Sequence, residues 1–407
     1  MILLIADDFT GALDTGIQFA KCGLKTKVVT TLAYDFTRTD DVVSVLVIDA
    51  ETRHLPPTQA YQRVFDIVNA TQGTGISIIF KKTDSALRGN LGSELSAVLD
   101  ASTPNVLHFL PAFPAMNRIT KDGIHYIDGI PVSESIFGND NYNPIKHSYI
   151  PDLIATQSNL CVETITNNQS FAPTSKKTIA IYDANTDLQL RILTKELLDN
   201  EEPLLLAGCA GIANPLAKEL KPHLERVPIS IDTKRLIIFC GSTNKITQQQ
   251  LDYAEQHHFQ RIRLTPEECL DGTSRLSEIL EKCTAETRCI IDTNDLSSGP
   301  TIADYAKVQQ LANEEVRTRI VRNLSTIIES VLSEDLDCLP LITGGDTLFS
   351  FMSLIGISEI TPLSEVAPGV VLSSFKYKER NIYVLSKSGG FGNEALLVDL
   401  ANEFVKK

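Results

Sequence analysis

The stretch LLIADDFTGALDTG, residues 3–16, decides how this chain is read. Four apolar residues, Leu3 to Ala6, run directly into two adjacent carboxylates, Asp7 and Asp8, and then into Thr10 and Gly11. A short, uniformly apolar run is the pattern of a strand buried on both faces, and such strands belong to parallel sheets covered by helices. In an open α/β sheet, ligands bind beyond the carboxyl ends of the strands. Two aspartates at that place, with a small-residue turn behind them, mark a candidate binding site.

The same pattern recurs along the chain. Apolar runs such as DVVSVLVID, ISIIFKK, VLHFLPA, TIAIYDA, PLLLAG, RLIIFC, RCIIDT, LPLIT and NIYVLSK predict strands. Between many of them lie amphipathic patterns such as TQAYQRVFDIVNA, LGSELSAVLDA and DLQLRILTKELL. The alternation predicts an α/β fold with largely parallel sheets flanked by helices. A chain of 407 residues exceeds one ordinary core, so two domains are expected. The polar, proline-bearing segment ERVPISIDTKR places their boundary near residue 230, giving domains 1–230 and 231–407 with an active site in the cleft between them. One long packing helix is expected over residues 302–333, where Ile320, Leu324, Ile327, Ile328, Val331 and Leu332 repeat at helical spacing. DGIHYIDGIPVSES breaks the α/β rhythm and predicts an antiparallel hairpin turning at Asp128-Gly129.

Composition excludes several classes. The net charge of −14, without a dense Lys/Arg run, argues against a nucleic-acid partner. The eight cysteines form no C-x-x-C pair, which disfavours structural zinc and a disulfide framework. Neither a signal peptide nor an apolar run of membrane length is visible, so no membrane partner and a cytoplasmic location are expected.

In the first half, the residues just after three strands carry the chemistry. Asp7 and Asp8 follow the first, Asp49, Glu51 and Arg53 the second, and Lys82, Thr83, Asp84, Ser85 and Arg88 the third. An arginine clamps a carboxylate through parallel hydrogen bonds, and aspartates accept from hydroxyls. That mixture suits a small polyol bearing a carboxylate. Each residue alone has a plainer role, since aspartates cap helices and surface arginines are solvated. Agreement across three strand ends favours a site.

In the second half, three strand–glycine–helix units occur: LIIFCGSTNKITQQQ, LPLITGGDTLFSFM and YVLSKSGGFGNEALL. Each places small residues where backbone N–H groups at a helix start can face an anion. Neither a Walker loop nor a G-x-G-x-x-G fingerprint is present, which lowers the odds of a dinucleotide site.

Taken together, IADDFTGALDTG, KKTDSALRGNLGSEL, PAFPAMNRIT, DGIHYIDGIPVSES, NPIKHSYIPDLI, GSTNKITQQQ, TGGDT and KSGGFGNEALL resemble the four-carbon acid sugar kinase family over nearly the whole chain. The resemblance implies a sugar-acid-binding N-terminal domain, a nucleotide-binding C-terminal domain, ATP as donor, and phosphorylation at the C4 hydroxyl of threonate, erythronate or a 3-oxo-tetronate. It implies that Asp8, with Asp7 close by, contacts the substrate hydroxyls, that Arg53 binds the acid, and that Lys82, Thr83, Asp84 and Ser85 line the pocket. On the nucleotide side it implies Ser242, then Gly344, Gly345, Asp346 and Thr347, then Gly390 with its neighbour Gly389. The chain departs from the family at Thr83, often isoleucine there, and at Ala86, often threonine.

Phosphoryl transfer relies on positioning and charge neutralisation. The expected scheme has the glycine loops holding phosphates, Mg²⁺ bridging phosphate oxygens, and a carboxylate orienting or deprotonating the hydroxyl. Asp84 is the first choice for that carboxylate and Asp8 the second; no metal ligand set is identified. The hairpin at 123–134 is expected to cover the sugar acid as a flap, with His125 and Tyr126 as candidate contacts. The alternatives are an NAD-dependent sugar-acid dehydrogenase and a non-catalytic sensor binding sugar acid and nucleotide. A homodimer is the common default for soluble enzymes.

Overall fold

The computed structural model describes residues 1–36, 43–140, 143–166, 171, 175–200, 203–220, 231–295 and 299–406. The chain divides into two compact units, Met1–Arg226 and Val227–Lys407. The expected boundary near residue 230 falls at the edge of a stretch outside the described residues.

In the first unit the strands are β1 (Ile2–Ala6), β2 (Thr26–Val29), β3 (Val45–Asp49), β4 (Ile78–Lys82), β5 (Val106–Leu110), β6 (Arg118–Lys121), β7 (Ile124–Ile127), β8 (Ile130–Pro131), β9 (Cys161–Ile165), β10 (Thr178–Tyr182) and β11 (Leu204–Gly208). Its helices are α1 (Phe9–Lys21), α2 (Pro57–Asn69), α3 (Leu91–Ala101), α4 (Ile150–Ala155), α5 (Asp187–Asn200) and α6 (Ala210–Leu220). A parallel sheet runs in the order β2-β3-β1-β4-β11-β5-β10-β9. All five residues of β1 are buried, as are those of β3 and β4. Helices α2, α3 and α4 cover this sheet through Val64, Ile67, Leu95, Val98 and Ile154. Ala6 pairs with Asp49 on one side and Lys82 on the other, so the ends of β1, β3 and β4 lie side by side.

The expected hairpin exists and is larger than the sequence indicated. β6, β7 and β8 form a three-stranded antiparallel sheet. Asp128 and Gly129 turn β7 into β8 at φ 50° and 78°, and Asp122 and Gly123 turn β6 into β7 at 53° and 71°. Both are Asp-Gly turns needing positive φ twice, which the residue pair tolerates.

In the second unit the strands are β12 (Arg235–Cys240), β13 (Gln260–Arg263), β14 (Arg288–Asp292), β15 (Cys338–Thr343), β16 (Glu359–Ala367), β17 (Val370–Tyr377) and β18 (Arg380–Lys387). The helices are α7 (Lys245–Gln256), α8 (Pro266–Asp271), α9 (Leu276–Ala285), α10 (Ile302–Val308), α11 (Asn313–Ser333), α12 (Gly345–Leu354) and α13 (Leu396–Phe404). Strands β13-β14-β12-β15-β18 are parallel in that order, and β17 and β16 extend the sheet antiparallel. The single helix expected over 302–333 is two. Gln310 adopts φ 56° and ends α10, because a left-handed residue closes a helix rather than continuing it. The apolar face expected of the longer piece is the buried face of α11: Leu324, Ile327, Ile328, Val331 and Leu332.

Candidate active site

The first cluster grows from the turn behind β1. Asp8 is extended and caps α1, its carboxylate accepting from the Gly11 N–H at 3.0 Å. The chain therefore enters a helix at Phe9 instead of the small-residue turn expected there. Gly11 has a different reason. A Cβ at this position would overlap Lys82 Nζ and Asp8 Oδ1, so the glycine leaves the room in which lysine meets aspartate.

Three carboxylates and three cations interlock at the ends of β1, β3 and β4. Arg53 donates from Nε to Asp7 Oδ2 at 2.8 Å and from NH1 to Asp8 Oδ2 at 2.7 Å, with NH2 3.5 Å from Asp84 Oδ1. Lys82 Nζ donates to Asp7 Oδ1 at 3.2 Å and Asp8 Oδ1 at 3.3 Å. Arg88 clamps Asp84 with Nε and NH2, each at 3.0 Å. Burial by itself would raise the carboxyls of Asp7 and Asp84. Arg53 and Lys82 more than reverse this at Asp7, and Arg88 and Arg53 at Asp84, so both lie well below the ordinary carboxylate range. Behind them, Lys81 pairs with Glu94 at 3.1 Å, both buried, which ties α3 under the site.

The three aspartates differ in access. The side chains of Asp7, Asp84 and Asp8 are 2%, 8% and 24% exposed. Asp84 is tied into its own turn: Oδ2 also accepts the Ala86 and Arg88 N–H groups, and this holds Leu87 at φ 66°, a strained value for a bulky residue. Asp84 thus builds its turn, and Arg88 is spent on Asp84, Asp140 and the ring of Phe137. Asp8 is the carboxylate of the three that reaches open space.

Other expected residues fall as follows. The Ser85 hydroxyl accepts from Arg118 and its carbonyl accepts from His125 Nε2 at 3.0 Å. Thr83 is buried with its N–H on the Gly208 carbonyl, and its hydroxyl has no partner among the described residues. His125 is fully buried between Ser85 and Thr120, and burial lowers its pKa to about 4. It holds the 84–88 turn from behind, which corrects the expectation of a ring offered to a ligand. The three-stranded sheet is likewise packed, through Ile127 and Val132, onto Ala86 of that turn.

Asp49 and Glu51, which the sequence places after the second of these strands, sit beside Asp8, and burial followed by the proximity of Glu51 pushes the Asp49 carboxyl well above the usual range. One feature escaped the sequence reading. Arg118 joins Arg88 on the Phe137 ring, with guanidinium carbons 5.5 and 5.1 Å from its centre. Only its place in the motif PAFPAMNRIT pointed to it.

The second cluster lies at the carboxyl ends of β12, β15 and β18. Asn244 caps α7 after Gly241, Ser242 and Thr243. Gly344, at φ 94°, precedes α12, and Asp346 in its first turn pairs with Arg317 at 3.0 Å. Gly389 approaches Ser242 closely enough that an added Cβ would lie 3.0 Å from its hydroxyl oxygen. The Gly344 N–H donates to the Lys387 carbonyl at 3.2 Å, which joins the second loop to the third. Ser242, Gly344, Gly345, Thr347, Gly389 and Gly390 thus belong to one set of neighbouring strand ends. Two of its glycine turns open helices, the arrangement that favours an anion.

Among the described residues, no helix is long and apolar enough to cross a membrane, and no group of three His, Cys, Asp or Glu side chains could hold a metal ion.

Residues 2–216 match the family described as a sugar-binding N-terminal domain, and residues 237–397 the one described as a nucleotide-binding C-terminal domain. The chain is 26% identical to a D-threonate kinase of Salmonella typhimurium over 423 residues, covering 98% of this chain and 97% of that protein. It is 26% identical to a D-erythronate kinase of Heliobacterium modesticaldum (90% and 88% covered) and 24% identical to a 3-oxo-tetronate kinase of Methylobacterium radiotolerans (95% of each). The fold is similar to a crystal structure from Salmonella typhimurium LT2, with TM-score 0.80, 21% identity and 99% of each chain covered. It is also similar to that of Haemophilus influenzae protein HI1011, with TM-score 0.74, 20% identity, and 98% and 99% covered.

Proposed function

This chain belongs to the four-carbon acid sugar kinase family, and we propose that it transfers the γ-phosphoryl group of ATP to the C4 hydroxyl of a four-carbon sugar acid. It is an enzyme, a phosphotransferase with an alcohol group as acceptor. The observation that carries the finer reading is the network of Asp7, Asp8, Arg53 and Lys82 in the unit that matches a sugar-binding domain.

Lys82 spends two of its three donors on Asp7 and Asp8, which leaves one for an incoming carboxylate. Arg53 adds a second fixed positive charge beside it. Asp8, the exposed carboxylate, is placed to accept from the substrate hydroxyls. It also takes over the orienting or base role first expected of Asp84, because Asp84 is the more buried of the two and is held by four hydrogen bonds within its own turn. In this reading Asp84 and Arg88 shape the pocket wall.

The strand-end glycines of the second unit would hold the nucleotide phosphates. Mg²⁺ is held mainly by phosphates with one or two carboxylates, so it needs no protein cage, and Asp346 is a carboxylate these loops offer. Bound there, the ion would neutralise charge on the phosphate oxygens.

The test is a coupled ADP-release assay over D- and L-threonate, D-erythronate and 3-oxo-tetronates, with the product ester located by phosphorus NMR. Turnover dependent on one acid, with phosphate on C4, supports the reading. ADP release unaffected by any acid, or an NAD-dependent absorbance change, overturns it.

A further inference from the structure

Among the described residues, several buried or half-buried cations face a carboxylate: Arg53 faces Asp7 and Asp8, Lys81 faces Glu94, Lys82 faces Asp7, and Arg261 faces Asp292. Lys387, at the end of β18, does not. It is 1% exposed, and its ammonium reaches the Ser388 carbonyl at 3.1 Å, the Thr247 hydroxyl at 3.4 Å and the Gly389 carbonyl at 3.5 Å. All three are neutral oxygens, and no carboxylate pairs with it among the described residues. An isolated buried charge is costly and is retained where something compensates it.

The contacts also aim the backbone. In a planar trans peptide the carbonyl and the following N–H point in opposite directions. Carbonyls of Ser388 and Gly389 drawn inward to Lys387 therefore turn the N–H groups of Gly389 and Gly390 outward. Neither N–H donates to a protein acceptor among the described residues. The Thr247 hydroxyl holds the Gly389 carbonyl from the same side at 2.8 Å.

Resting on the nucleotide reading of this site, we propose that Lys387 is a positioning residue that shapes Ser388–Gly390 into an amide-lined anion cradle, and that the bound nucleotide phosphate supplies its missing counter-charge. The groups that face it are consistent with this. Cys240 on β12 is a neutral thiol, pushed by burial up to about 11, and Thr247 on α7 and Thr343 on β15 carry no charge. Burial lowers Lys387 itself to about 8. A phosphate nearby raises it again, so nucleotide binding takes up a proton when the pH lies near 8.

The experiment titrates the full-length protein with ADP by calorimetry at pH 8 to 9, in two buffers of different ionisation enthalpy. A phosphate's second pKa is about 6, so the ligand contributes no proton there. The wild type is expected to take up a fraction of a proton and to lose affinity as pH rises through this window. K387R, always charged, is expected to bind without proton uptake and with a flat pH profile. K387M is expected to bind roughly 10- to 100-fold more weakly, the loss of charge-assisted contacts, without proton uptake. Thermal melting and sugar-acid binding by each variant verify its fold. If wild type binds ADP with no proton uptake, or K387M matches it in affinity, the role of Lys387 is refuted. If wild type binds no ADP at all, the nucleotide reading of the site fails first.

Discussion

Arg53 sets two donors, Nε and NH2, on one oxygen of Asp7, each at 2.8 Å. Asp7 is buried and Arg53 largely so, at 2% and 12% exposed, so each is mostly the other's substitute for water. Arg53→Ala is expected to strand a buried carboxylate and destabilise the protein by about 3–5 kcal/mol. Arg53→Lys keeps the charge but loses the fork, and is expected to retain much of the stability while raising the sugar-acid KM at least roughly tenfold. Thermal unfolding and steady-state kinetics read the two effects separately. Equal KM values for wild type and R53K would remove Arg53 from acid binding.

Asp8 and Asp84 should part company on substitution. Asp8→Asn preserves the helix cap, since asparagine caps as well as aspartate, and is expected to lower kcat roughly 100-fold or more with little change in melting temperature. Asp84→Asn weakens the clamp that holds Leu87 at positive φ, and is expected to lower the melting temperature along with activity. Wild-type turnover by D8N would take the proton-handling role away from Asp8.

His125 ties stability to mild acid. Its folded pKa is lowered by burial from 6.5 to about 4. Its contribution is therefore complete above pH 6.5 and is lost as pH falls towards 4, because the ring must charge inside the fold. Melting temperatures measured from pH 7 to 4 should fall for wild type and fall less for His125→Gln. Parallel curves would mean that other groups govern this window. Asp7 and Asp84, both depressed, act further down: their stabilisation is full above pH 3.8 and is lost only below it.

Gly11→Ala tests the room that glycine keeps. Alanine favours a helix by about 1 kcal/mol over glycine, yet here its Cβ would displace Lys82 from the two aspartates. The expected result is a raised sugar-acid KM with unchanged nucleotide affinity. Unaltered kinetics on both substrates would show that Lys82 can shift without loss.

Much of the fold was legible because burial on both faces leaves a local mark. The ten uniformly apolar runs are strands, and the residues after three of them meet in one network. Three of the strands that were missed lack that mark. β9 reads CVETI and β13 reads QRIR, half-polar because they lie at sheet edges, and β16 is antiparallel with most of its residues half-buried. The break between α10 and α11 was hidden because one left-handed residue, Gln310, leaves the hydrophobic spacing intact.

By itself the order of residues determined which side chains stand at the strand ends, since a five-residue apolar run can end in only one place. It could not rank them. Asp7, Asp8 and Asp84 are chemically the same group, and only packing made the first an ion-pair anchor, the last a turn-builder and the middle one accessible. Lys387 looked like any lysine at the end of a strand until the tertiary structure buried it with no carboxylate partner among the described residues. Charge type is local to a residue, whereas desolvation and partnership depend on neighbours brought from far along the chain, and those two decide what a charge does.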